Sequence, residues 1–165
     1  MISILIIMAA NRKKRATEKG LLGNNRKARF LYSIEDSLEC GIELQGTEVK
    51  SLKARHFSFT DAYVEVRNRE LWLRNFQITP YTHAALFNHI ANRPRRLLAH
   101  KREIMKLEKR VNEKGITLIP LKFYLIKGRI KVEVGLCRGK RLHDKRMSIK
   151  NRDIQRDLDR EYKTR

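Results

Sequence analysis

The residues best able to do chemistry in this chain are scattered. His56, His83, His89, His100 and His143 stand at no metal-ligand spacing with Cys or Asp partners. The step from His83 to His89 suits neither one helix face nor a usual zinc pair. Cys40 and Cys137 lie far apart in sequence. They are too few for a disulfide framework or a zinc site, which takes about four clustered ligands. Adjacent carboxylates such as Glu35 and Asp36 read as solvated turn residues. Neither a Gly-rich phosphate loop nor a nucleophile elbow is present. The expectation is therefore no enzyme, no metal and no cofactor.

The chemistry that is abundant is positive charge. Lys and Arg number 38 against 18 Asp and Glu, a formal net charge of +20 in 165 residues. A folded body with that excess repels itself, and an extended polyanion relieves the repulsion. A pI of about 10.5 makes nucleic acid the expected partner, ahead of an anionic membrane or an acidic protein. The charge falls in clusters: Arg12 to Arg15, Arg26-Lys27-Ala28-Arg29, Arg93 to Arg96, Lys101-Arg102 and Lys140-Arg141. Such clusters supply phosphate contacts that position RNA without reading its sequence. Specificity then needs shape, stacking and a few polar groups. Tyr81, Phe87, His89 and His100 are the candidate stackers, although Tyr81 and Phe87 equally suit a cover for one end of the fold. Glu39 stands out in so basic a chain. A carboxylate near RNA serves to accept from base or sugar donors or to orient an arginine, and an internal salt bridge explains it equally well.

The elements that must position these groups follow from periodicity. Residues 1–7 are apolar but too short to span a bilayer and are followed by basic residues, so they read as an extension ahead of a start at Met8. Residues 11–29 read as a flexible basic arm, and the folded domain is placed at 25–137. Phe30, Tyr32, Ile34, Ile42 and Leu44 suggest a strand pair kinked near Glu39 to Gly41. Thr47 is the expected cap of a short helix reaching Leu52. A hairpin is expected around the polar turn Arg67 to Glu70, its second strand running on towards Ile78. Residues 81–96 read as a long functional loop. A helix from about His100 to Lys114, with Ile104, Leu107 and Val111 inward, closes at Gly115. Strands at 116–126 and 129–136 flank a Lys127-Gly128 turn. Hairpin-length connections without a crossover unit favour a mainly β fold with α: an antiparallel barrel of the oligonucleotide-binding (OB) type with flanking helices, over a ferredoxin-like sheet. Residues 138–165 carry a basic excess and only a thin apolar stripe. They read as a tail disordered when free and helical when bound to RNA.

Three blocks of residues resemble a known family. They are Asn25-Arg-Lys-Ala-Arg-Phe30 with Glu39-Cys-Gly-Ile-Glu-Leu-Gln-Gly-Thr-Glu-Val-Lys-Ser-Leu52; Arg95-Arg-Leu-Leu98 with His100-Lys-Arg-Glu-Ile104; and Gly135-Leu-Cys-Arg-Gly-Lys140 with His143-Asp-Lys-Arg146. From about Asn25 to the C-terminus the chain resembles the small protein B (SmpB) family, the protein partner of transfer-messenger RNA in bacterial trans-translation. The resemblance implies a cytoplasmic protein with an OB-like barrel that binds the tRNA-like domain of that RNA and delivers it to stalled ribosomes. It implies contact with elongation factor Tu only indirectly, through the aminoacylated RNA, and no membrane role. Glu39, Leu98 and His100 match positions of the family's RNA interface. Gly139, His143, Asp144, Lys145 and Arg146 match a tail that enters the empty decoding site and messenger channel beside small-subunit ribosomal RNA. With the basic clusters added, the expected RNA-binding set is Arg26, Lys27, Arg29, Glu39, Lys50, Arg95, Arg96, Leu98, His100 and Lys101. The expected tail set is Gly139, Lys140, Arg141, His143, Asp144, Lys145 and Arg146. The chain departs from the family at Ala99, at Ile90-Ala91, where an acidic stretch is usual, and at Cys137. The rival reading is a ribosome-associated structural or assembly protein.

Overall fold

A computed structural model of the chain describes residues 20–84, 88–113 and 115–141. Nine strands and three helices succeed one another among these residues. The strands are β1 (Leu21–Asn24), β2 (Tyr32–Ile42), β3 (Phe57–Ser58), β4 (Tyr63–Arg67), β5 (Glu70–Arg74), β6 (Gln77–Ile78), β7 (Arg95–Leu98), β8 (Ile116–Ile126) and β9 (Arg129–Gly139). The helices are α1 (Arg26–Leu31), α2 (Gly46–Lys53) and α3 (Lys101–Val111).

All pairings are antiparallel, and six strands close a ring in the order β8, β4, β5, β7, β2, β9 and back to β8. Closure leaves no free edge in that ring. Strand β8 has one edge on β9 throughout, and the other meets β4 at Leu118 and β1 at residues 122–124. The barrel and its helices bear out the OB-like expectation.

The interior follows from alternation. Val64, Leu71, Leu73, Leu97, Leu118, Val132, Val134 and Leu136 are buried in one cluster with Cys40 and Leu52. Four phenylalanines fill one part of it, with Phe76 and Phe123 stacked at a centroid distance of 4.6 Å and Phe57 and Phe59 set edge-on to one another. A register shift between Pro120 and Lys122 lets β8 serve two faces. Leu118 and Phe123 face the main core, whereas Ile119 and Leu121 join Ala28 and Cys137 in a second cluster outside the barrel. A bulge also tolerates Pro120, which has no N–H to give the ladder.

Several expectations are corrected. Residues 21–24 are a strand on β8 and residues 26–31 a helix, so the chain is ordered where a flexible arm was expected. The cause is Asn25, whose Oδ1 caps α1 by accepting from Ala28 N–H at 2.9 Å while its Nδ2 donates to the Pro120 carbonyl at 3.0 Å. Strand β2 runs unbroken through Glu39 to Ile42, and its irregularity lies between Ile34 and Asp36 instead. Gln45, not Thr47, precedes α2. Asn75, at a φ of 53°, ends β5, and Gln77–Ile78 pairs with β3 in a separate two-stranded sheet. Strand β9 continues to Gly139, and Lys140 donates its backbone N–H to Leu31 at 3.0 Å. Residues 138–140 are thereby held to the barrel. The expected tail beyond Arg141, and Phe87, lie outside the described residues.

Candidate nucleic-acid interface

Outward-facing residues of β8, β9, β2 and β7 form two rows across the barrel. In one, Tyr124 stands opposite Lys131, Lys131 opposite Gly41, and Gly41 opposite Leu98. In the next, Lys122 stands opposite Glu133 and Glu133 opposite Glu39. Lys122 Nζ pairs with Glu133 at 2.8 Å. The Tyr124 hydroxyl donates to Glu39 Oε2 at 2.7 Å. Burial first, and then the Glu39 carboxylate, push the Tyr124 phenol well above its ordinary range.

Leu98 is 50% exposed, an apolar side chain set on a polar face. Gly41 makes room for it, since a Cβ at Gly41 would stand 3.2 Å from that of Leu98. Two residues on, His100 is the N-cap of α3, and Glu103 folds back to accept its backbone N–H at 3.0 Å. This is half of a capping box and fixes the direction in which the helix starts. Glu39, Leu98, His100, Ser37, Glu103 and Lys131 therefore line one hollow of about 590 Å³. A second hollow of about 350 Å³, floored by Ile42, Leu44, Val49 and Ile130, adjoins it through Leu98 and Lys131.

Of the expected RNA-binding set, the structure brings Glu39, Leu98 and His100 together. Arg26, Lys27 and Arg29 are exposed on α1. That helix sits on the same outer barrel face, beside Ile119, Leu121 and Cys137. Lys101 is exposed at the start of α3. Lys50 stands apart on α2, its ammonium 5.2 Å from the centre of the Tyr81 ring. Arg96 is partly exposed but bonded to Glu43 at 3.0 Å and Glu70 at 3.1 Å. Of the tail set, Gly139 ends β9, and the Lys140 ammonium donates to the Arg29 carbonyl at 3.2 Å. Arg141 is exposed, and residues 143–146 lie outside the described residues.

Arg95 is a correction. Its side chain is 0% exposed and donates to Glu48, Phe76, Arg93 and Ala91. It cannot reach a phosphate, and its work is to tie the loop before β7 to α2. Glu48, also fully buried, accepts from Arg93 Nε and Nη2, Arg95 Nε and the Gln45 N–H. Burial alone would raise the Glu48 carboxyl, but these donors outweigh it and hold it below the ordinary carboxylate range. His89 is likewise no stacker. It is buried, with Nδ1 at 3.0 Å from Thr47 Oγ1 and Nε2 at 3.1 Å from the Ile78 carbonyl.

Sequence reasoning missed Tyr124, Lys131 and Glu48. The alternation of β9 already put Lys131 outward, but a two-row face becomes visible only once three strands are in register. Among the described residues, no group of three His, Cys, Asp or Glu could hold a metal, and no helix is long and apolar enough to cross a membrane.

Comparison with known proteins agrees with this picture. The family described as SmpB protein matches residues 22–164. The SsrA-binding protein of Treponema pallidum is 54% identical over 146 residues, covering 88% of this chain and 95% of that protein. The SsrA-binding protein of Borreliella burgdorferi is 50% identical over 143 residues, covering 87% and 95% respectively. A solved chain from "tmRNA-SmpB: a journey to the center of the bacterial ribosome" superposes with a TM-score of 0.63 at 42% identity, covering 77% of this chain and 93% of that one. A barrel of this topology, matched over nearly its whole length at such identity, leaves one assignment: the chain belongs to the SmpB family.

Proposed function

We propose that this protein binds the tRNA-like domain of transfer-messenger RNA and delivers it to stalled ribosomes for trans-translation. The observation that carries the reading is the meeting of Glu39, Leu98 and His100, from three different elements, in one hollow beside Lys131. That meeting occurs on the outside of a closed barrel in a chain of net charge +20. Family membership supports the same partner, since its relatives are SsrA-binding proteins and its structural neighbour is described with tmRNA and the ribosome.

In this reading Arg26, Lys27, Arg29, Lys50 and Lys101 contact phosphates, which fixes the orientation of the RNA. Leu98 packs on an exposed base or sugar, Glu39 accepts from a base or ribose donor, and His100 donates. Arg96 serves chiefly its two glutamates. The segment from Arg141, with His143, Asp144, Lys145 and Arg146, occupies the empty decoding site and messenger channel. Elongation factor Tu meets the protein only through the aminoacylated RNA. The protein acts as an adaptor in the bacterial cytoplasm and turns over no substrate.

Truncation after Arg141 tests this division of labour. Cutting earlier, after Leu136, would remove part of β9 and the buried Cys137. The truncated protein should keep its affinity for the tRNA-like domain and lose tagging of the nascent chain. Loss of RNA affinity in that variant would refute the division. Co-sedimentation with ribosomal subunits in cells lacking transfer-messenger RNA would favour the assembly-protein reading.

A further inference from the structure

We infer that Tyr124 is a positioning residue of this interface, its phenol holding the Glu39 carboxylate in the orientation that meets RNA. The inference rests on the RNA-binding reading above.

Tyr124 occupies an unusual place. Its neighbour Phe123 points into the barrel, so Tyr124 points out, yet it is only 1% exposed. The ring lies on the outer face, where its strand neighbours are Leu21 of β1 and Lys131 of β9. The Lys122 ammonium stands 5.8 Å from its centre. From there its hydroxyl crosses β9 to reach Glu39 on β2. Two strand spacings are roughly 10 Å, which a tyrosine and a glutamate side chain span only when both are extended towards each other. The bond thus selects one arrangement of Glu39.

The choice of partner matters. A lysine or arginine would orient the carboxylate and also cancel its charge. A phenol is a neutral donor and cancels none of that charge itself. An oriented, charged carboxylate repels phosphate and accepts strongly from an exocyclic amine or a ribose hydroxyl. It thereby helps set which part of the RNA can lie beside Leu98. Prior orientation also spares the ordering of that side chain on binding. None of this requires Tyr124 to touch RNA itself.

The test compares binding of the tRNA-like domain by the wild type, Tyr124→Phe, Glu39→Gln and the double variant, across a range of salt concentrations. Tyr124→Phe keeps the ring and its packing and removes one hydroxyl. It should weaken binding by about two- to tenfold, the size expected for ordering one side chain on binding. The double variant should bind no more weakly than Glu39→Gln. The slope of affinity against salt should be unchanged, since no phosphate contact is lost. A side-chain carboxylate NMR signal of Glu39 that moves in Tyr124→Phe would support the inference independently. Wild-type affinity in Tyr124→Phe, multiplied losses in the double variant, or a reduced salt slope would each overturn it. Failure of the wild type itself to prefer the tRNA-like domain over a plain duplex would instead overturn the functional reading.

Discussion

Arg95 Nε meets Glu48 Oε1 at 2.8 Å with both side chains wholly buried. The other donors of Arg95 go to the carbonyls of Phe76, Arg93 and Ala91. The pair therefore binds the end of the 79–94 loop to α2, immediately before the strand that carries Leu98. Removing Glu48 strands the buried Arg95 charge, at a cost of about 3–5 kcal/mol. Glu48→Ala should show that loss in urea unfolding, and Arg95→Ala, which leaves Glu48 paired with Arg93, a smaller one. Arg96→Ala, at an exposed pair, should lose at most about 1 kcal/mol.

The same network predicts acid sensitivity. Glu48 titrates below its ordinary value in the folded protein, where burial works against its donors and loses. Glu35 is also lowered, first by its hydrogen bond from Arg138. Groups with a depressed folded pKa add stability that is complete above the unfolded value, about 4.3 for Glu. That stability fades as pH falls through the folded value. Unfolding free energy should be nearly flat from about pH 7 to 5 and fall steeply below about pH 4. Glu48→Gln, though less stable throughout, should show a shallower fall.

Leu98 separates binding from folding. Being half exposed, it contributes little to the core, and Leu98→Ala should change stability by no more than about 0.5 kcal/mol. Covering its exposed half with RNA is worth roughly 1 kcal/mol. Affinity for the tRNA-like domain should therefore fall about fivefold. A large stability loss with unchanged affinity would reverse the assignment of this residue.

Both thiols should be inert in the native protein. Burial pushes Cys40 up to about 12 and Cys137 up to about 11. Thiolate, not thiol, is the nucleophile. Treatment with iodoacetamide at about pH 8, below the ordinary thiol value of about 8.5, should leave the native mass unchanged and add two adducts in urea, as read by mass spectrometry.

How far the sequence alone reaches differs by element. The hairpins, α3 and the barrel class were legible because alternation and the 3.6-residue period are local signals, clear at Ile130, Val132 and Val134. The ordering of residues 21–31 was not, because it depends on Asn25 meeting Pro120, nearly a hundred positions away. Charge was read without depth. Arg95 and Arg96 look equivalent in a basic run, but the strand turns alternate side chains inward and outward. The first is therefore interior and the second solvent-facing. Glu39 was legible as an anomaly, whereas its tyrosine partner required the register of three strands.

The attachment of β1 beside one end of the long β8–β9 hairpin has a topographical consequence. Gly20 lies against Leu125, whereas Gly139 pairs with Tyr32 near the level of Ile116. Strand from Ile116 to Leu125, at about 3.3 Å per residue, spans roughly 30 Å. Exposed positive charge therefore stands at both poles of the hairpin, Lys127 and Arg129 at one and Arg29 and Arg141 at the other, separated by well over a screening length of about 8 Å at physiological salt. A body charged in this way can hold two distant stretches of polyanion at once.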